Sequence, residues 1–163
     1  MALPPLLQRR EGTVLVLSNN NPAARNALSP AFYAALTTAL VQAETDPGVG
    51  AIVLTGEGEH FCAGGDLRQL ATRRELPVEE RRAKLEGLHD LIRAVRDCRK
   101  PVIAAVEGAA AGAGLSLALA CDMLVAANVS APSASSTTLV EPFASCSSTA
   151  ISVSSRACIS FGG

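Results

Sequence analysis

Apolar residues follow two rhythms along this chain. Short unbroken runs occur at Thr13 to Leu17, Ala51-Ile52-Val53-Leu54, Val102-Ile103-Ala104-Ala105-Val106 and Met123–Ala126. Each has the length and β-branched content of a buried strand, which predicts strands over 13–17, 50–55, 102–107 and 123–126. Between them the apolar positions recur every three or four residues. Phe32, Leu36, Leu40 and Ala43 form one such stripe. Ser29 followed by Pro30 marks the start of that helix, and Asp46-Pro47-Gly48 marks its end. Leu85, Leu88, Ile92 and Val95 form a second seam, in a helix expected over 78–97. Its remaining faces carry Glu79, Glu80, Arg81, Arg82, Lys84 and Asp90. A short helix over 67–74, closed near Pro77, and another from about 114 to 120 complete the reading. Strands alternating with helices imply βαβ units, hence an α/β fold with a mostly parallel sheet and right-handed crossovers.

Two of the strands run into glycine-rich loops: Phe61-Cys62-Ala63-Gly64-Gly65-Asp66-Leu67, and Gly108-Ala109-Ala110-Ala111-Gly112-Ala113-Gly114. Each loop leads into a helical segment. Loops without bulky side chains can bring backbone N–H groups from distant parts of the chain to one point, where they stabilise negative charge developing on a carbonyl. The adjoining helix N-termini add partial positive charge. Other glycine signatures do not fit. A dinucleotide fingerprint begun at Gly112-x-Gly114 needs glycine at 117, which is Leu117, and Gly108 lacks the Gly-Lys-Ser/Thr of a phosphate loop. Ser116 lies too far from its strand for a nucleophile elbow, and no histidine follows it.

Composition narrows the classes further. The 163 residues fit a single domain with a real core. A net charge of −1 gives no bulk attraction to nucleic acid or anionic membrane, and the absence of Trp argues against base stacking. The most apolar stretch, 102 to 126, is interrupted by Glu107 and Asp122, leaving about 14 residues where roughly 20 would span a bilayer. No leader pattern is read at the N-terminus, where charged Arg9, Arg10 and Glu11 follow a short Leu6-Leu7. Five scattered cysteines without Cys-x-x-Cys, and only His60 and His89, spell neither a zinc site nor a disulfide framework. Reduced thiols in a soluble, cytoplasmic protein are expected, with no metal.

The character of the chain changes after residue 127. Residues 128–163 hold 11 serines, against three in the preceding 127, with one acid, Glu141, and one base, Arg156. Such a tract buries too little apolar area to offset chain ordering. The expectation is a domain over 1–127 and a poorly ordered tail over 128–163. A change of reading frame near residue 128 accounts for the break, a disordered linker being the alternative.

The segment His60-Phe61-Cys62-Ala63-Gly64-Gly65-Asp66-Leu67 closely resembles the first oxyanion loop of the crotonase (enoyl-CoA hydratase/isomerase) superfamily. The run Lys100 to Gly108, continuing through Gly112-Ala113-Gly114-Leu115 to Ala120-Cys121-Asp122, is similar to the second. Pro22-Ala23-Ala24-Arg25-Asn26-Ala27-Leu28-Ser29 resembles the family's early turn, and the strand Ile52 to Gly56 also fits. The resemblance covers roughly residues 8–127.

It implies a crotonase-like (ββα)-repeat spiral core, truncated at the C-terminus, and an acyl-CoA thioester substrate. Coenzyme A would enter as part of that substrate, with no separate cofactor. By motif position the thioester oxygen would lie between the backbone N–H groups of Gly65 and Ala113. Ala63, Asp66, Leu67 and Arg68 would flank the CoA moiety, with Arg25 and Ala27 near its adenine end. A polarised thioester favours an enolate, opening hydration, isomerisation or ring-opening hydrolysis. The chain departs from the family in two places. Ser116 stands where hydratases carry a glutamate, pointing to an isomerase or ring-opening hydrolase parent of the kind used in aromatic-acid degradation. A second carboxylate, beyond Asp122, has no counterpart in the tail. The family's trimer or hexamer is expected to be impaired, and a catalytically inactive binding module is the alternative. Asp66 is otherwise a helix cap, Glu107 a strand end, Arg73, Arg74, Arg81 and Arg82 a solvated helix face, and His60 and His89 surface residues.

Overall fold

A computed structural model describes residues 3–66, 76–127, 150–154 and 157–160. The sheet contains β1 (Leu6–Glu11), β2 (Val14–Asn19), β3 (Ala51–Gly56), β4 (Val102–Val106), β5 (Met123–Ala126), β6 (Ala150–Ser154) and β7 (Ala157–Ser160), in that spatial order. The central strands β2, β3, β4 and β5 are parallel, and hairpins flank them on both edges. Among the described residues the helices are α1 (Pro30–Thr45), α2 (Val78–Asp97) and α3 (Ala113–Ala120), preceded by a 3₁₀ turn at Pro22–Ala24.

Local chemistry sets these boundaries as expected. The Ser29 side chain accepts from the Phe32 amide at 3.2 Å and Pro30 opens α1, so Ser29 caps the helix. Phe32, Leu36, Leu40 and Ala43 are all buried, as their spacing requires. They meet Leu17, Ile52, Leu54, Val102 and Ala104 from the sheet, with Leu91 and Val95 from α2 and Leu117 from α3. On the other sheet face Val53, Ile103 and Ala105 are half-buried, while Met123 and Val125 are exposed.

Three features differ from the sequence reading. No strand is predicted over 6–11, because only Leu6 is buried there. Main-chain pairing to β2 holds this edge, and its charged residues face solvent. The seam of α2 is rotated: Leu91 is fully buried, whereas Leu85 is 44% exposed. The first turns of α2 project beyond the core, so its burial begins later than the heptad-like spacing suggests. Finally, β6 and β7 lie within the serine-rich stretch, where no element is predicted; Ile151-Ser152-Val153-Ser154 does alternate with the period of a strand. The short helix expected over 67–74, with Leu67, Arg68, Arg73 and Arg74, lies outside the described residues, as does most of 128–163.

A polar seal closes the amino-terminal end of the parallel strands. Lys100 Nζ donates to the carbonyls of Asp46 (3.0 Å) and Val49 (2.6 Å), and Arg10 pairs with Asp46 at 2.7 Å. The Gly48 amide, then the Arg10 guanidinium, hold the Asp46 carboxyl below its ordinary range. Asp122 accepts from the Val102 amide at 2.8 Å and donates its own amide back to the Val102 carbonyl.

Among the described residues no helix is long and apolar enough to cross a membrane. The rotated seam yields a direct test by chemical denaturation. Leu91→Ala should lower stability by about 2–5 kcal/mol, as for other buried leucines. Leu85→Ala should stay within about 0.5 kcal/mol of the parent, as surface changes do.

Candidate functional site

The carboxyl ends of β2, β3 and β4 release three loops on the same edge of the sheet, where open parallel sheets bind ligands. Residues 20–29 follow β2, 57–66 follow β3, and 107–112 follow β4. Main-chain hydrogen bonds lace them side by side. The Ala63 amide donates to the Arg25 carbonyl (2.9 Å), and the Leu28 amide to the Gly64 carbonyl (2.8 Å). Across the other side, the Phe61 amide donates to Glu107 (2.7 Å), Cys62 to Ala109 (2.9 Å), and Ala111 to Cys62 (3.0 Å).

The early turn is fastened by Asn26, which is fully buried. Its Nδ2 donates to the carbonyls of Glu57 (2.8 Å) and His60 (2.6 Å), and its Oδ1 accepts from the Asn21 amide (3.0 Å). Its carbonyl accepts from Asn19 Nδ2 at 2.8 Å. Arg25 and Asn26 both take left-handed backbone angles (φ 51° and 56°), a conformation asparagine adopts more readily than most residues. The turn motif contains Asn26, but nothing in its spacing distinguishes this residue as the pin. Nor is the role of His60 legible. Assigned to the surface by sequence, it is half-buried, and its Nδ1 accepts the Ala109 amide at 3.3 Å.

The glycines serve close approach. Gly64 has φ 97°, and a Cβ there would sit 2.7 Å from the Ala111 carbonyl oxygen and 3.6 Å from the Ala113 nitrogen. The two loops therefore touch at the backbone. Gly112 (φ 51°) turns the chain into α3, so that Ala113 is the first residue of that helix. Gly114 lies against Cys62, leaving no room for a side chain.

Five of the predicted site residues, Arg25, Ala27, Ala63, Gly65 and Asp66, thus lie on two adjacent strand-end loops, and Ala113 stands on the third. Leu67 and Arg68 lie outside the described residues, as does the helix Asp66 was expected to cap. Arg25 is exposed, Ala27 buried, and Ala63, Gly65 and Asp66 intermediate. Among the described residues, neither the Gly65 nor the Ala113 amide donates a hydrogen bond to any other group. The neighbouring Gly64 amide is already directed at Cys62 Sγ, 3.4 Å away. Ser116 is exposed, and its hydroxyl is turned back onto the Gly112 carbonyl at 3.3 Å. Glu107, which the sequence puts at the end of the strand, is the first residue after β4 and takes part through its carbonyl, and His89 is exposed on α2.

The enoyl-CoA hydratase/isomerase family profile matches residues 9–142. The chain belongs to the enoyl-CoA hydratase/isomerase family. It is 45% identical over 122 residues to a probable enoyl-CoA hydratase of Mycobacterium tuberculosis, covering 75% of this chain and 46% of that protein. It is 37% identical over 123 residues to the 1,2-epoxyphenylacetyl-CoA isomerase of Escherichia coli, covering 75% and 47%. The crystal structure of an enoyl-CoA hydratase from Polaromonas superposes with a TM-score of 0.74 at 52% identity, covering 76% of this chain and 48% of that one. The chain spans about half the length of the curated relatives it matches. This family assignment carries the crotonase-like α/β core read from the sequence.

Burial has a consequence for pH at two thiols, Cys62 in the loop after β3 and Cys121 at the far end of α3. It pushes the Cys62 thiol up to about 11, partly offset by the Gly64 amide, and the Cys121 thiol up to about 12, with the Asp122 charge adding to burial. A thiol that resists ionisation only while folded stabilises the fold fully below its unfolded value near 9. That stabilisation is lost as pH rises through the folded values. The melting temperature should therefore fall between about pH 9 and 11, and Cys121→Ala should flatten that fall in a thermal melt series.

Proposed function

We propose that this chain binds an acyl-CoA thioester and stabilises its enolate between the backbone amides of Gly65 and Ala113. The observation that carries the reading is a pair of amides, on two loops in backbone contact, that donate to no other group among the described residues, one of them at a helix N-terminus. Preorganised donors of this kind act where charge develops, with no reorganisation at the moment of reaction. Ala63, Asp66, Leu67 and Arg68 flank the CoA moiety in this proposal, and Arg25 and Ala27 lie toward its adenine. Coenzyme A arrives with the substrate, in the cytoplasm.

The reaction class follows from what α3 lacks. Its sequence, Ala-Gly-Leu-Ser-Leu-Ala-Leu-Ala, holds no ionisable side chain, so no general acid or base comes from this helix. Isomerisation or ring-opening hydrolysis of an unsaturated or ring-bearing acyl-CoA fits better than two-glutamate hydration, and similarity to an epoxyphenylacetyl-CoA isomerase supports that choice. The same observation favours a second reading, a non-catalytic module that binds thioesters without turning them over, because acid–base groups supply roughly 10²–10⁴-fold in rate.

Ala113→Pro tests the donor directly. Proline removes the amide yet suits the first position of a helix. Gly112, with φ 51° and ψ −123°, mirrors the extended conformation that precedes proline. In the enzyme reading, kcat/KM on 3-enoyl-CoA should fall about 10²–10³-fold, as for other lost donors, with melting little changed. In the module reading, calorimetry finds crotonyl-CoA bound by the parent chain with no turnover, and weaker binding by Ala113→Pro. A folded parent chain that binds no thioester overturns both.

A further inference from the structure

The pairing between the two glycine loops is out of step by one residue. The Phe61 amide meets the Glu107 carbonyl, and in a regular parallel ladder Ala63 would be the next to donate, to Ala109; here Cys62 donates to Ala109 instead. A single step along one loop thus answers two along the other, a bulge centred on Gly108. In a regular parallel ladder the Ala109 amide would find the Phe61 carbonyl. The bulge takes that acceptor away and would leave the amide an orphan, a costly state for a sheltered backbone donor. The imidazole of His60 fills the vacated place, with Nδ1 3.3 Å from the Ala109 nitrogen.

Two details describe how the ring is held. Gly108 takes φ 56°, and a Cβ there would collide first with the Glu59 carbonyl oxygen and then, at 2.6 Å, with His60 Nδ1, so the second loop packs closely on both. On its other side, the His60 carbonyl receives Asn26 Nδ2 at 2.6 Å, so the ring's own backbone is fixed by the early turn. The Ala109 peptide is gripped from both ends, by the imidazole at its N–H and by the Cys62 amide at its carbonyl. Four residues later stands the Ala113 amide.

We propose that His60 is a positioning residue: its neutral imidazole replaces a missing main-chain acceptor, locks the second glycine loop to the first, and thereby aims the Ala113 amide. The link to Ala113 rests on the thioester reading above, whereas the lock itself does not. The ring must hold its proton on Nε2, because Nδ1 accepts. An asparagine places an acceptor oxygen close to where Nδ1 stood, so it should substitute; alanine cannot.

The test pairs two readouts on the full chain and on His60→Ala and His60→Asn. Amide hydrogen exchange at Ala109 should speed up about tenfold in His60→Ala and return toward the parent rate in His60→Asn. Crotonyl-CoA affinity by titration should weaken about three- to tenfold in His60→Ala, the worth of one hydrogen bond, and recover in His60→Asn. Nitrogen chemical shifts of the parent imidazole should report the Nε2–H tautomer. Unchanged Ala109 exchange in His60→Ala, or an asparagine variant no better than alanine, overturns the proposal. If His60→Ala melts too low to study, the parent tautomer and His60→Asn exchange decide it alone: an Nδ1–H ring overturns it. A parent chain that ignores crotonyl-CoA, with Ala109 exchange responding as stated, supports the lock and defeats only the thioester reading.

Discussion

The Asn26 side chain is shut away from solvent, and each of its polar atoms engages a different stretch of backbone. A buried amide left short of partners would cost free energy, whereas one with every partner in place rigidifies what it touches. Here it touches the start of its own turn, and both the beginning and the middle of the loop after β3. The separation between β2 and β3 at their carboxyl ends is thereby set by one planar group. The loop after β4 then takes its position from the loop after β3, through the Phe61, Cys62 and Ala111 amides and the His60 ring. Order passes across the strand ends from one loop to the next.

That chain of dependence explains why the site can be built almost wholly from Gly, Ala and Cys. The loops after β3 and β4 lie backbone against backbone, and only small residues permit it. Gly64 against Ala111, and Gly114 against Cys62, are contacts at which a methyl group has no place. The buried thiol of Cys62 stays protonated at neutral pH and accepts from the Gly64 amide, so it occupies that amide without bringing negative charge to the loops. Among the described residues the Gly65 and Ala113 amides donate to no other group.

Much of this was legible before any coordinates. Strand and helix boundaries over 14–56 and 102–126 follow from hydrophobic rhythm, from Ser29-Pro30 and from Asp46-Pro47-Gly48, because in these segments local preference and burial agree. The paired glycine loops are readable for the same reason. What escaped were features set by partners distant in sequence. β1 is a strand only because β2 supplies its hydrogen bonds, so its charged residues mask it. Leu85 and Leu91 share a helix, and only the neighbouring elements decide which of them is covered. His60 looked like a surface residue because a half-buried imidazole acting as a backbone acceptor leaves no trace in spacing. Asn26 looked like one turn residue among several.

The sheet has two chemically separate ends. At one, Lys100, Arg10, Asp46 and Asp122 tie strand starts together through ions and carbonyls; at the other, neutral main-chain amides lace the three loops side by side. No residue belongs to both. Substitutions in the ion pairs and substitutions in the strand-end loops therefore fall on different positions. A lineage can trade its ion pairs for others to suit heat or salt without disturbing the loops, and can remodel the loops without loosening the base.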